Sequence, residues 1–292
     1  MAILSSSHDL RFNSDVIVPE HTISPQQHKL APYYAQTLEF YERLASLYDL
    51  LYPDHLRFSE QLFSQLSPIL AAAGTHNVLD ASCGVGHDML SLLRLGFRVD
   101  GIDISKRMIE EADRRLRRAG FDGIRLRVGD ASSLQTVAPQ DAYDLVVFRG
   151  NTFSNIHPDD FGGVVKQLLS IVRPGGLLLA DYRDGEHQLA ERKGFEFRGS
   201  GIARERKALF WSNYVLKHSD SLLQPYEVCA TVRLIHLRRM YSVERLHIRS
   251  HYVDAQRLLE TIRHEAIQEL RIPTVDTRGL PYLQTLLVRR AS

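Results

Sequence analysis

Cysteine is scarce in this chain, since only Cys83 and Cys229 occur among its 292 residues. Two cysteines are too few for the disulfide framework of a small secreted protein, and they fit a reducing compartment. Long apolar runs are also lacking, because none approaches the ~18 residues that a membrane-spanning helix requires. The N-terminal segment has no apolar stretch typical of a signal peptide. We therefore expect a cytoplasmic protein without a membrane partner.

A surplus of one charge is lacking as well. The chain has 36 Lys and Arg against 35 Asp and Glu, which leaves a net charge of +1. General nucleic-acid-binding proteins are usually strongly basic, so a net charge near zero argues against a nucleic-acid partner. With 18 glycines, 11 prolines and 44% hydrophobic residues, the composition is that of an ordinary globular protein.

Hydrophobic periodicity divides the chain into five regions. Residues 1–28 are polar and irregular, and 29–75 show the three-and-four spacing of a helical lid. Residues 76–185 alternate short apolar strands with helices, which predicts an α/β core with a parallel sheet. Residues 186–250 read as a small antiparallel β insertion with two or three strands. Residues 251–292 read as a last helix and the closing strands of the core.

A turn with two glycines follows the first strand of that core. The segment Val78–Asp88 places Gly84 and Gly86 between a strand and a helix, where a ligand can approach the backbone and unpaired amides. A dinucleotide motif would need a third glycine where the chain has Met89. Asp80 within the segment disfavours a pyrophosphate and suits a cationic ligand.

The segment Asp80-x-x-Cys83-Gly84-x-Gly86 resembles motif I of class I S-adenosylmethionine-dependent methyltransferases. Further elements follow in the order of that family: Asp103 ends the second strand, Gly129-Asp130-Ala131 follows the third, and Arg173-Pro174-Gly175-Gly176 precedes the fifth. The resemblance implies a Rossmann-like sheet of seven strands and S-adenosyl-L-methionine as cofactor. It implies that Asp103 binds the ribose.

The same resemblance suggests which other side chains surround the cofactor. Met108 matches a residue that packs on the adenine, and Asp130 lies where the family binds the adenine amine. The full set of expected cofactor-binding residues is Asp80, Ser82, Gly84, Gly86, Asp103, Ile104, Met108, Asp130, Ala131 and Arg149.

The segment after the fourth strand indicates the methyl acceptor. Arg149-Gly150-Asn151-Thr152-Phe153 lacks the Asn/Asp-Pro-Pro-Tyr pattern of amine-directed nucleic-acid enzymes, and it resembles the turn of glycine and glycine/sarcosine N-methyltransferases. That resemblance implies three substrate residues: Arg183 for a carboxylate, Asn151 for the amine, and Tyr52 as an active-site tyrosine. We expect a small substrate that carries an amine and a carboxylate.

Two departures from the glycine enzymes keep the acceptor open. Arg149 stands where an apolar residue is usual, and Ala131 stands where those enzymes have tryptophan near the adenine. One alternative is a cyclase that converts S-adenosylmethionine into azetidine-2-carboxylate and methylthioadenosine. A second alternative is a non-catalytic regulator that binds the same cofactor. No histidine spacing predicts a metal site, and a homo-oligomer stays open.

Overall fold

The structure is a computed structural model, and it describes residues 25–183, 195–203, 208–218, 226–236, 243–251, 255–264, 267–271 and 283–291. Its α-helices are α1 (Pro25–Leu44), α2 (Tyr48–Leu51), α3 (His55–Ala72), α4 (His87–Arg94), α5 (Lys106–Arg118), α6 (Phe161–Ile171) and α7 (Ala255–His264). Short 3₁₀ helices cover Ala45–Leu47, Ala131–Thr136, Thr152–Asn155 and Pro158–Asp160.

The main sheet is mixed and built around five parallel strands. These are β1 (Asn77–Asp80), β2 (Arg98–Asp103), β3 (Leu126–Val128), β4 (Tyr143–Phe148) and β5 (Val172–Arg183). Strand β11 (Leu283–Arg290) pairs antiparallel with β5, and β10 (Ile267–Arg271) pairs antiparallel with β11. The strand order is β10-β11-β5-β4-β1-β2-β3, so all five parallel strands end at the same edge. The expected Rossmann-like α/β fold is confirmed.

A second sheet contains four antiparallel strands. They are β6 (Phe195–Ala203), β7 (Ala208–His218), β8 (Tyr226–His236) and β9 (Val243–His251), in that order. The sequence pattern had indicated two or three strands in this region. It missed β6, since Gly199 and Gly201 interrupt the alternation of apolar residues there. The five region boundaries given above stay predictions.

Apolar side chains cover both faces of the main sheet. On one face, α6 and α7 pack with β4 and β5 in a cluster that includes Phe148, Leu168 and Ile262. On the other face, α3 and α4 pack with β1 in a cluster that includes Phe63 and Met89. Burial on both faces explains why these parallel strands have continuous apolar runs rather than an alternating pattern.

Helix α1 lies outside this sandwich and joins the two sheets. Phe40 and Leu44 of α1 are buried with Met108 of α5 and with Leu246 and Ile248 of β9. The helix therefore crosses the carboxyl edge of the parallel strands, where ligands bind in open α/β sheets.

Candidate active site

A cavity lies at the carboxyl edge of the parallel strands. The loops that follow β1, β2, β3 and β4 form its floor, and side chains of α1, α2 and α3 form its roof. It holds about 950 Å³ of empty space, part of which opens to solvent. Nine of the residues expected to bind a cofactor line it: Asp80, Ser82, Gly84, Asp103, Ile104, Met108, Asp130, Ala131 and Arg149.

The glycine turn after β1 has a backbone that only glycine adopts readily. Gly84 has φ +51° and Gly86 has φ +84°, both in the left-handed region. A Cβ on Gly86 would lie 3.2 Å from the Cβ of Ala112 in α5. Gly86 therefore lets α4 start close against α5, and it does not line the cavity itself.

Asp103 ties the glycine turn to the start of α5. Its Oδ2 accepts a hydrogen bond from the Gly84 amide at 2.8 Å, and its Oδ1 accepts one from the Ser105 amide at 2.9 Å. Burial raises the pKa of Asp103 to about 6, although both amides oppose the rise. Each carboxylate oxygen can accept a further hydrogen bond from a ligand hydroxyl.

The wall beyond Asp103 is more apolar. Met108 is buried and lines the cavity beside Ile104, which follows β2 directly. Asp130 follows β3, and its Oδ1 accepts a hydrogen bond from the Ser132 amide at 2.8 Å. The carboxylate thereby fixes the backbone of Ala131 at the cavity edge. A flat ring fits between such apolar and polar walls.

Three carboxylates surround the guanidinium of Arg149. Nη1 of Arg149 lies 2.8 and 2.7 Å from the two oxygens of Asp88, and Nε lies 3.4 Å from Oδ2 of Asp181. Asp80 is the third carboxylate, and all four side chains are buried. Ser59 of α3 donates a short hydrogen bond to Asp88. The floor of the cavity thus has more negative than positive groups, which suits a cationic ligand.

Burial and pairing move the pKa values of these carboxyl groups in different directions. Burial, and after it the charge of Asp88, raise the pKa of Asp80 well above its usual range. Burial also raises the pKa of Asp181, against the attraction of Arg149. At Asp88 burial acts in the same sense, but the charge of Arg149 overcomes it and lowers the pKa.

Tyrosines of the first two helices close the roof. Tyr34, Tyr41 and Tyr48 line the cavity, and hydroxyl groups of the first two reach the loop after β4. Tyr34 Oη donates a hydrogen bond to Asp160 at 2.6 Å, and Tyr41 Oη accepts one from the side-chain amide of Asn155 at 2.8 Å. These contacts fasten α1 to the loop that follows β4.

Of the three residues expected at the acceptor, Asn151 and Tyr52 do not line the cavity. Asn151 has φ +61°, and its side-chain amide donates to Ser154 Oγ at 2.9 Å. Tyr52 packs behind Tyr48, with ring centroids 4.9 Å apart. Arg183 ends β5 opposite Leu283, and its side chain lies outside the described part of the structure. Their roles at the acceptor stay predictions.

The sequence reasoning missed several residues of the roof and floor. Tyr34, Thr37 and Tyr41 lie on one face of α1, in the region predicted as a helical lid, but their place at the cavity was not predicted. His55, His87, Asp88 and Asn155 gave no local signal. They meet only because α3, α4 and the loop after β4 converge at the edge of the sheet.

A model of a methyltransferase domain family matches residues 78–176, the part of the chain that runs from β1 to the start of β5. A solved S-adenosylmethionine-dependent methyltransferase from Clostridium acetobutylicum has the same fold, with a TM-score of 0.65 and 17% identity over 86% of this chain and 99% of that one. This chain contains a class I S-adenosylmethionine-dependent methyltransferase domain.

Two further proteins are similar to this chain. Glycine N-methyltransferase of Rattus norvegicus is 33% identical over 133 residues, which are 42% of this chain and 45% of that protein. The match thus spans less than half the length of this curated relative. A sugar N-methyltransferase from Streptoalloteichus shares the fold with a TM-score of 0.61, at 14% identity over 84% of this chain and 93% of that one.

The cofactor of this class fits the residues that are present. The turn at Gly84 admits a close ligand, Asp103 offers carboxylate oxygens for two ribose hydroxyls, and Met108 offers an apolar surface for a purine. The acidic floor around Asp80 matches the positive charge of a sulfonium. S-adenosylmethionine as cofactor is confirmed by the family, and the side-chain roles stay predictions.

Two general findings complete the description of the site. Within the ranges that the structure describes, no helix combines the length and apolar character needed to cross a bilayer. In those same ranges, no three His, Cys, Asp or Glu side chains are grouped as metal ligands.

Proposed function

We propose that this chain transfers the methyl group of S-adenosylmethionine to the amine of a small, amino-acid-like molecule. The observation that carries the proposal is the cavity itself, which joins the glycine turn, Asp103 and Met108 under a roof of tyrosines. The similarity to glycine N-methyltransferase over residues of the same domain supports an amine as acceptor. The resemblance to the glycine N-methyltransferases, which implies that Arg183 binds a carboxylate, favours an amino-acid-like acceptor.

In this reaction the protein mainly positions the two reactants and excludes water. When bound, the cofactor would supply an electrophilic methyl carbon on a positive sulfonium. In-line attack by a neutral amine would form the N–C bond and break the C–S bond, with release of S-adenosylhomocysteine and a proton. Carboxylates of the floor and the faces of Tyr41 and Tyr48 can stabilise positive charge in this site. The roof keeps water from the reacting atoms, and alignment supplies most of the rate.

The direct test is incubation of the pure protein with S-adenosylmethionine and a panel of amines, followed by mass spectrometry of the nucleosides. We expect S-adenosylhomocysteine to form only when an amine such as glycine, sarcosine or an amino sugar is present. Methylthioadenosine without any amine would instead show the cyclase reaction. Binding without turnover across the whole panel would leave a regulatory role.

The acceptor assignment predicts a specific effect of Arg183→Lys. Lysine keeps the charge but loses the planar fork that binds a carboxylate through two hydrogen bonds. The acceptor KM should rise at least ~10-fold, which corresponds to about 1.4 kcal/mol of lost binding. Affinity for the cofactor, measured by calorimetry, should stay unchanged. Wild-type values for both ligands would remove Arg183 from the site.

A further inference from the structure

Two histidine side chains meet at one end of the cavity. His55 begins α3 and His87 begins α4, and both line the cavity with ring centroids 4.8 Å apart. Because α4 starts directly after the glycine turn, this end of the cavity adjoins Gly84 and Gly86. It lies beyond the turn that Asp103 contacts through the Gly84 amide.

Each ring uses one nitrogen in a contact with the protein. Nε2 of His87 lies 3.0 Å from Oδ1 of Asp49, and Arg115 binds the same carboxylate at 2.7 Å. Partial burial opposes ionisation of Asp49, but His87 and Arg115 hold its pKa below the usual range. Since an ionised carboxylate only accepts hydrogen bonds, Nε2 of His87 carries a proton. Nδ1 of His55 lies 3.1 Å from the hydroxyl of Tyr48.

The other nitrogen of each ring, Nδ1 of His87 and Nε2 of His55, is not used in these contacts. Nδ1 of His87 is buried without a hydrogen-bond partner, and no described contact engages Nε2 of His55. A buried polar atom without a partner costs free energy, so its presence beside a cavity indicates that a ligand supplies the partner. Protonation would turn each of these nitrogens into a donor.

Charged groups on the neighbouring elements set the potential at the pair. The titratable and charged residues that face the two rings are Tyr48, Asp49, Asp88, Arg115 and Arg149. The carboxylates of Asp49 and Asp88 are already engaged by the arginines. Burial lowers the pKa of His55 to about 4, against the attraction of Asp88, and His87 with the arginines adds to the lowering. His55 is therefore neutral at physiological pH and gains a proton only beside an added anion.

We propose that His55 and His87 bind the carboxylate at the end of the cofactor's aminobutyrate arm and take up a proton as they do so. With the ribose at Asp103, an arm that followed the glycine turn would reach the start of α4, where the two histidines lie. A carboxylate enclosed there needs donors, and its charge favours the protonated imidazole. The inference rests on the cofactor assignment and does not depend on methyl transfer.

Calorimetry with two nucleosides tests the proton linkage. S-adenosylhomocysteine carries the arm, whereas 5′-methylthioadenosine lacks it. The ratio of their affinities should rise roughly tenfold in favour of S-adenosylhomocysteine between about pH 8 and about pH 6, since each proton taken up on binding gives up to tenfold per pH unit. Titration of Asp103 affects both nucleosides alike and cancels in the ratio.

Two variants prevent proton uptake by the histidines but can keep their contacts with Asp49 and Tyr48. His87→Gln can keep an amide nitrogen facing Asp49, and His55→Asn can keep a polar group facing Tyr48, but neither side chain can be protonated. In each single variant the affinity ratio should rise less between about pH 8 and about pH 6 than in the wild type, and with both substitutions combined it should be flat. His76→Asn, at an exposed histidine before β1, should keep the wild-type slope. Thermal unfolding shows whether each variant is folded. If a variant does not fold, the pH dependence of the affinity ratio in the wild-type protein still tests the proposal.

Several outcomes would overturn the inference. The ratio in the wild-type protein could be flat, or it could rise with pH, as expected if a neutral imidazole accepts from the ammonium of the arm. Proton uptake seen only when glycine is added to the S-adenosylhomocysteine complex would assign the histidines to the acceptor. If neither nucleoside binds, the cofactor assignment fails as well, and that result is distinct from a flat ratio.

Discussion

At the scale of a single residue, Asp103 is the carboxylate best placed to bind a ribose. It lies at the cavity edge, and the Gly84 and Ser105 amides hold it in position from two sides. With a pKa raised to about 6 by burial, it is mostly ionised at neutral pH and mostly protonated below pH 5. Hydroxyl donors on a ligand favour the ionised form.

Replacement of this residue should weaken cofactor binding and remove part of its pH dependence. Loss of one partner of a charged hydrogen bond costs roughly 1.5–3 kcal/mol, so Asp103→Asn should lower affinity for S-adenosylmethionine about 10–150-fold. Wild-type affinity should fall as the pH drops through about 6, because protonation of Asp103 removes the acceptor. Calorimetry against pH measures both effects.

A matched control for this substitution lies on the same strand. Asp100 accepts a hydrogen bond from Tyr143 and pairs with Arg125, away from the cavity. Asp100→Asn should leave the affinity for the cofactor and its pH dependence unchanged. Equal losses in the two variants would mean that Asp103 acts through the fold of β2 rather than through the ribose.

At the scale of an element, α1 is fastened on both flanks of the cavity. Tyr34 and Tyr41 bind the loop after β4 on one side. On the other side Glu42 accepts from Ser105 Oγ at 2.8 Å and from the Arg107 amide at 3.2 Å, at the start of α5. Besides the apolar packing of Phe40 and Leu44, the helix is held by a few polar contacts, and we propose that it is a lid that opens more readily than the central core.

Removal of the two tyrosine hydroxyls should loosen this lid. The double variant Tyr34→Phe, Tyr41→Phe loses the hydrogen bonds to Asp160, His157 and Asn155, worth about 0.5–1.5 kcal/mol each, and we expect the cofactor to dissociate several times faster. Stopped-flow displacement measures that rate. Tyr143→Phe removes a comparable hydrogen bond to Asp100 far from the lid, and it should lower stability slightly without changing the rate. A double variant with the wild-type rate would show that α1 is not the gate.

The elements themselves were largely predictable from local sequence. The segment Leu51-Tyr52-Pro53-Asp54 predicts a break in the helical pattern, and the structure ends α2 at Leu51 and begins α3 at His55. Strand β1 and the glycine turn were also evident, since a few adjacent residues determine them. Which of Tyr48 and Tyr52 lines the cavity was not predictable, because it depends on how α2 is rotated against α4.

At the scale of the whole molecule, Arg149 connects elements that are far apart in the chain. Its guanidinium bridges Asp88 of α4 and Asp181 of β5, and Asp181 in turn accepts from the amides of Gly150 and Asn151. The sequence analysis marked Arg149 as a departure from an apolar residue and as an expected cofactor-binding residue. Its partners were not predictable, since no spacing in the sequence relates positions 88, 149 and 181.

Loss of this arginine should destabilise the fold. Arg149→Met would leave buried carboxylates unpaired, which typically costs roughly 3–5 kcal/mol. Because Arg149 holds the pKa of Asp88 low, wild-type stability from this pair is present at neutral pH and is lost as the pH falls. The difference between variant and wild type in urea unfolding should therefore shrink in acid.

The control for that experiment is an exposed ion pair. Arg94 pairs with Glu60 at the surface, and such pairs contribute about 0–1 kcal/mol. Arg94→Met should therefore change the free energy of unfolding little. If Arg149→Met proved as stable as Arg94→Met, the cluster would contribute little net stability, and Arg149 would matter chiefly for the cavity.

The fastening of α1 also has a consequence for the timing of successive turnovers. If α1 is that lid, spent nucleoside has to leave past Tyr34, Tyr41 and Glu42 before a fresh molecule can enter. We then expect exit to limit the steady rate, as opening limits turnover in many enzymes with lids. Rapid-quench measurements should show a fast burst of about one product per site, followed by a slower phase. The double tyrosine variant should speed the slow phase and leave the burst rate alone.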